Sequence, residues 1–139
     1  MKKFLTLNFL PVNRDLALLL LRILVGFSLF YKHGIEKLTG FSNMQTHFPD
    51  PLHIGVKTGL IFALLTDGIC TMLIILGFAT RLAALLIVTN LTVVFILIHS
   101  GSFTEGHAEL VYDYLSSFLC ILFAGAGKYS LDNKLFKTS

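Results

Sequence analysis

Four apolar stretches, separated by polar connections, make up most of the chain. They cover residues of about 16–33, 59–78, 82–99 and 109–126. A transmembrane helix needs about 20 mainly apolar residues, because backbone groups in hydrocarbon must be hydrogen-bonded within their own segment. The pattern therefore predicts an all-α fold, in which a bundle of four transmembrane helices forms a single domain over residues 1–139.

Polar side chains interrupt each apolar stretch. Arg22, Asp67, Asn90 and Asp113 lie in the four stretches in that order, and Glu109 lies at the start of the last. An ionisable residue inside a span costs about 2.5–3.5 kcal/mol, so it persists where it faces a partner or a cavity. The positions predict a bundle with a polar interior. The candidate ligand-binding or proton-relay residues are Arg22, His33, Asp67, Asn90, His99, Glu109 and Asp113.

Depth along the helices predicts one buried pair. Arg22 lies about seven residues inside its span, or roughly 10 Å at the helical rise of 1.5 Å per residue, and Asp67 lies near the middle of the second span. The long arginine side chain covers the difference. We predict that Arg22 pairs with Asp67 and that Asn90 completes the hydrogen bonds. Such a pair either belongs to a functional site or only fixes the register of the helices.

The histidines all fall at or beyond the end of the bundle opposite the termini. We predict that His33 and Asp113 line one outward-opening polar cavity with Glu109 at its rim. The alternative is that both residues simply lie among lipid head groups. His99 reaches the interior only if its helix ends or bends before Gly101. The spacing matches no zinc motif such as His-Glu-x-x-His, so no metal site is predicted, and whether the outer histidines bind a metal stays open.

Composition agrees with a membrane protein. The mean hydropathy is +0.78 and 14% of the residues are charged, against about 25% in soluble domains. The net charge of +3 comes without a basic patch of interleaved aromatic residues, so nucleic acid is excluded as a partner. The lipid bilayer is the partner that the pattern predicts.

The basic residues outside the helices predict the topology. Both termini should be cytoplasmic under the positive-inside rule, and the connection of about residues 32–57 should fold over the outer mouth of the bundle. On the side of the termini lie Lys2, Lys3, Arg14, Arg81, Lys128, Lys134 and Lys137, against Lys32, Lys37 and Lys57 on the other side.

Three segments have a motif-like order and spacing. They are LRILVG at 21–26 followed by YKHGIEKL at 31–38, GFATRLAA at 77–84, and GAGKYSLD at 125–132. Together they resemble the DoxX family of small bacterial membrane proteins. In that family a helix-1 arginine precedes a His-Gly-x-x-Lys-Leu motif, followed by a Gly-Leu-x-Thr-Arg turn and a Gly-Pro-Gly-Arg-Tyr-Ser-Leu-Asp ending. Asp67 departs from the glutamate frequent in the family, and Ala126 from the proline.

The resemblance implies a four-helix bundle in the bacterial inner membrane and a quinone-linked redox role, as a subunit or as a small-molecule site. Related Dox proteins are subunits of a thiosulfate:quinone oxidoreductase, and other members are linked to membrane oxidative-stress complexes. A quinone is the cofactor that this implies, and a membrane redox protein is the partner. No catalytic residue is implied, so enzymatic activity stays open.

Two other functions stay open. One is transport of a small solute or of protons, for which a thin bundle would need to form a homo-oligomer. The other is a structural or assembly subunit of a membrane complex, whose polar core sets only the packing. The chain has no nucleotide-binding motif and no cysteine cluster. In the redox interpretation, electrons would therefore come from a partner or from a bound quinone.

Overall fold

The computed structural model describes residues 2–7, 9–104 and 106–137. Within those ranges every regular element is helical and none is a strand, which confirms the all-α prediction. In chain order the helices are α1 (Lys2–Leu5), α2 (Arg14–Met44), α3 (Val56–Leu76), α4 (Thr80–Ile98), α5 (Ala108–Ala124) and α6 (Leu131–Phe136).

Three of these helices are long and apolar enough to cross a membrane. They are α2, α3 and α4, with 31, 21 and 19 residues. Helix α5 has 17 residues, which is at the lower end of the roughly 17–25 that a span requires. Large apolar side chains such as Leu24, Phe27, Ile69, Leu82 and Phe123 face outward. In a membrane protein these side chains contact lipid, and they would be unfavourable in water.

Helix α2 is longer than the first apolar stretch. It begins where Asn13 accepts a hydrogen bond from the backbone N–H of Leu16 at 3.0 Å, a standard N-cap. It continues past the end of the predicted span at about residue 33 and reaches Met44. The polar residues after Tyr31 are therefore helical, and the connection to α3 is limited to residues 45–55.

Helices α2 and α3 each contain a π-helical turn, at Phe30–Gly34 and at Leu65–Cys70. The two turns lie side by side. A Cβ atom built on Gly34 would lie only 2.6 Å from the carbonyl oxygen of Asp67, which shows how closely the two backbones approach. Only glycine permits that approach. Single π turns within α-helices occur frequently at functional sites, and these two turns carry His33 and Asp67.

The apolar core lies between the helices toward the end that holds the chain termini. Its buried members come from all four long helices. They include Leu29, Ile74, Ile87, Phe118 and Ile121. The polar groups therefore separate into two regions, one on either side of this core.

Candidate ligand-binding site

Arg22 lies at the end of the bundle near the termini, and its side chain is completely buried. Its guanidinium donates hydrogen bonds to the carbonyl oxygens of Ile74, at 3.3 Å, and Tyr129. It also interacts electrostatically with Asp132. The predicted pair of Arg22 with Asp67 is wrong, because the guanidinium binds the last turn of α3 and the C-terminal segment instead.

The surroundings of Arg22 form a closed structural junction, which we call the arginine cluster: Arg22, Gly77, Ala79, Thr80, Tyr129 and Asp132. The Asp132 carboxylate accepts hydrogen bonds from the backbone N–H groups of Ala79 and Thr80 at 2.7 and 2.9 Å. Gly77 has φ +71°, and a Cβ there would lie 2.2 Å from the Arg22 guanidinium. The cluster fastens the segment before α6 to the turn between α3 and α4.

Asp67 lies in the other polar region, and its partner is Lys37. The Lys37 ammonium donates to the Asp67 carboxylate at 2.8 Å, and the two side chains are only 11% and 7% exposed. A second contact runs from the ammonium to the carbonyl oxygen of His33 at 3.4 Å. A lysine interpreted as part of an outer connection is thus the cation of a buried ion pair.

A hydrogen-bonded chain joins Asp67 to α4. The Asn90 amide donates to the Thr66 hydroxyl at 2.9 Å. That hydroxyl lies 3.0 Å from the carbonyl oxygen of Ala63 and 3.3 Å from the Asp67 carboxylate. Asn90 therefore reaches Asp67 only through Thr66. Its predicted role in completing an Arg22–Asp67 pair is wrong, because the arginine takes no part.

A cavity of about 250 Å³ opens beside the Lys37–Asp67 pair. Helices α2, α3, α4 and α5 form its walls, and the connection between α2 and α3 passes over it. The polar side chains that line it include His33, Lys37, Asp67, Asn90 and Tyr114. The apolar lining includes Leu29, Phe62, Leu91, Val94, Leu110 and Val111. The connection contributes Phe48, Pro49, Asp50, Pro51, Leu52 and Ile54.

A cavity therefore exists at the end of the bundle opposite the termini, but its predicted lining is only partly correct. His33 lines it, whereas Asp113 and Glu109 are exposed on the outer surface of α5 and do not. Tyr114, one residue from Asp113, faces inward in its place. His99 directly follows a third π-helical turn, Val94–Ile98 in α4, and also lies outside the lining. Among the described residues no group of three metal-ligating side chains comes together.

His33 connects the cavity with the surface. Its ring packs edge-on against Tyr114, with the ring centroids 6.1 Å apart, and its Nδ1 lies 4.0 Å from the Glu36 carboxylate. The Tyr114 hydroxyl in turn lies 2.6 Å from the Ser28 hydroxyl. Hydrogen-bond donors and acceptors from all four helices thus border a mainly apolar cavity.

Sequence reasoning missed Lys37, Thr66 and Tyr114. The signal for Lys37 was present, because it follows His33 by four residues and so continues the helical stripe that begins at Arg22. The signal for Tyr114 was weaker, since a tyrosine near a span end fits an interfacial position equally well.

The fold is that of a small helical protein whose long apolar helices are typical of a membrane protein, with a cavity among four of its helices. The chain belongs to the DoxX family, whose model matches residues 17–100. Two Haemophilus influenzae proteins, each named only as an uncharacterized protein, are similar to it. One is 29% identical over 133 residues, covering 91% of this chain and 87% of the relative. The other is 31% identical over 143 residues, covering 94% and 99%. No solved structure matches.

The family-like motifs divide between the two polar regions. Arg22, the turn at 77–84 and the ending at 125–132 meet in the arginine cluster. The His33-Gly34-x-x-Lys37 motif lies at the cavity, where His33 lines the wall, Gly34 lets α3 approach and Lys37 binds Asp67. The spacing of each motif therefore has a physical reason in this fold.

Proposed function

We propose that this DoxX protein is a four-span inner-membrane protein that binds a small lipophilic molecule in the cavity beside Lys37 and Asp67. The first candidate ligand is a quinone, and the corresponding role is that of a quinone-linked redox or small-molecule-binding subunit. The single observation that carries the proposal is the cavity, which is mainly apolar and is lined by polar side chains from each of its four helices.

The size of the cavity favours a head group or a small ring over a whole lipid. Ligand pockets typically measure about 300–1,000 Å³, and this one measures about 250 Å³. A quinone ring presents two carbonyl acceptors on a flat apolar body. The Lys37 ammonium, the His33 ring and the Tyr114 hydroxyl are donors of the kind that such carbonyls bind. His33, which is near the surface, is suited to exchange protons with water.

The test is recovery of the ligand from purified protein. Extraction of detergent-purified protein should yield a quinone at close to one molecule per chain, and His33→Ala should reduce it at least tenfold. Asp113→Asn is the matched control, because it changes a polar residue of α5 outside the cavity, and it should retain the quinone. Quinone at the level of the co-purified lipid in all three proteins would refute the proposal. Solute flux into proteoliposomes would then favour transport by a homo-oligomer.

The topology is a separate part of the proposal. Helix α5 would supply the fourth span and both termini would be cytoplasmic, as the distribution of basic residues predicts. Single cysteines at Ser42 and at Lys137, in a chain lacking Cys70 and Cys120, test it in intact cells. An impermeant thiol reagent should label only the former position. Labelling of the latter position alone would reverse the orientation.

A further inference from the structure

We infer that Asp67 makes the cavity selective for uncharged ligands, because it neutralises the one ammonium group that would otherwise attract anions. The inference rests on the proposal that the cavity binds a small molecule. It goes beyond that proposal by assigning the charge class of the ligand and the residue that determines it.

The ion pair is the first observation. Lys37 and Asp67 are 2.8 Å apart and both are largely buried, yet both line the cavity. An isolated ammonium in an apolar site has a strong requirement for a negative partner. Here the protein itself supplies that partner. A ligand therefore meets a neutral pair, which offers hydrogen bonds without a net charge.

The second observation is the total charge of the lining. Among the described residues of the lining, Lys37 is the one lysine or arginine, whereas Asp67 and Asp50 are both carboxylates. The Asp50 side chain accepts hydrogen bonds from the backbone N–H groups of Ile54 and Gly55 at 3.0 and 2.9 Å, so it stays at the mouth. The described lysines, arginines and carboxylates of the lining therefore carry no excess positive charge. An anion would have to enter without a counter-charge.

The third observation is that Asp67 is held in place. It lies in the π-helical turn of α3, packed against Gly34, and Thr66 and Asn90 support it from the other side. The carboxylate therefore already lies beside Lys37 before any ligand binds. This matters in a membrane, because fatty acids and acidic lipids are abundant amphiphiles that compete for an apolar cavity.

The experiment compares two probes that differ only in head-group charge. Radiolabelled decanamide and decanoate are bound to the protein in nanodiscs of zwitterionic lipid, at an alkaline pH where the acid is ionised, with protein-free nanodiscs as the background. A decyl-substituted benzoquinone is measured in parallel. The wild type should bind decanamide at least tenfold more tightly than decanoate. Asp67→Asn should reverse that preference, because it leaves the Lys37 charge without a partner.

The double variant Lys37→Gln with Asp67→Asn removes both charges and should favour decanamide again. It also controls for instability of the single variant, and a thermal melt of each protein checks the fold. Decanoate binding to the wild type as tightly as decanamide overturns the inference, as does an unchanged preference in a folded Asp67→Asn variant. A preference for decanamide without quinone binding keeps the inference and removes the quinone. Binding of none of the three probes removes both.

Discussion

The two buried cations of α2, Arg22 and Lys37, differ in their partners and in the space around them. Arg22 is enclosed on all sides and binds two backbone carbonyl oxygens. Lys37 borders a cavity and binds a carboxylate side chain. A guanidinium has several donors in a fixed fork, which suits it to join separate backbone segments, whereas an ammonium is a compact charge on a flexible stem. The arginine cluster therefore holds backbone segments together, whereas the cavity beside Lys37 leaves room for a ligand.

The largest loss of stability is expected at the arginine cluster. Arg22→Leu removes two charge-assisted hydrogen bonds and should lower the free energy of unfolding by about 3–6 kcal/mol. Urea or thermal unfolding in detergent measures it. Because Arg22 and Asp67 are not partners, the loss should add to that of Asp67→Leu within about 0.5 kcal/mol. A strong coupling between the two would show that the ends are not independent.

A smaller loss is expected at the ion pair. Lys37→Met leaves a carboxylate with no cation and should cost about 3 kcal/mol, the lower end for a buried pair, since the cavity admits some solvation. Adding Asp67→Leu should recover most of that loss, in contrast to the additive behaviour at Arg22. Unfolding measurements on the two single variants and the double variant complete the cycle. Simple addition of the two losses would mean that the contact contributes no stability.

The approach of the two π turns can be tested with alanine. Gly34→Ala places a Cβ 2.6 Å from the Asp67 backbone, so α3 has to move away, at a cost of about 1–3 kcal/mol. Quinone binding should fall at the same time. Gly40→Ala is the control on the same helix, because its Cβ would meet only the flexible end of Met44 at 3.4 Å. That variant should gain up to about 1 kcal/mol from helix propensity. Equal effects of both variants would contradict the role assigned to Gly34.

Hydrophobic periodicity predicts the helical fold, because the length of an apolar stretch is a local property of the sequence. It also identifies His33, Asp67 and Asn90 as interior residues. Periodicity does not predict which of these polar side chains form ion pairs with one another. Depth alone cannot separate Arg22 from Lys37 as the partner of Asp67, since that depends on where α2 ends and on how its π turn shifts the later residues. The outward direction of Asp113 likewise depends on the rotation of α5, which one stripe of polar residues does not fix.

The smallest effect on stability should accompany the clearest effect on function. His33 is partly exposed, and its side chain makes only a long contact with Glu36 and an edge-on ring contact with Tyr114. His33→Ala should therefore change the free energy of unfolding by less than about 1 kcal/mol. It should nevertheless weaken binding of the decyl-substituted benzoquinone at least tenfold, because the ring lines the cavity. Asp113→Asn should alter neither quantity, since Asp113 lies on the outer surface of α5. Loss of binding in Asp113→Asn with retention in His33→Ala would place the binding site on that surface. The functional region would then be neither the arginine cluster nor the cavity beside Lys37.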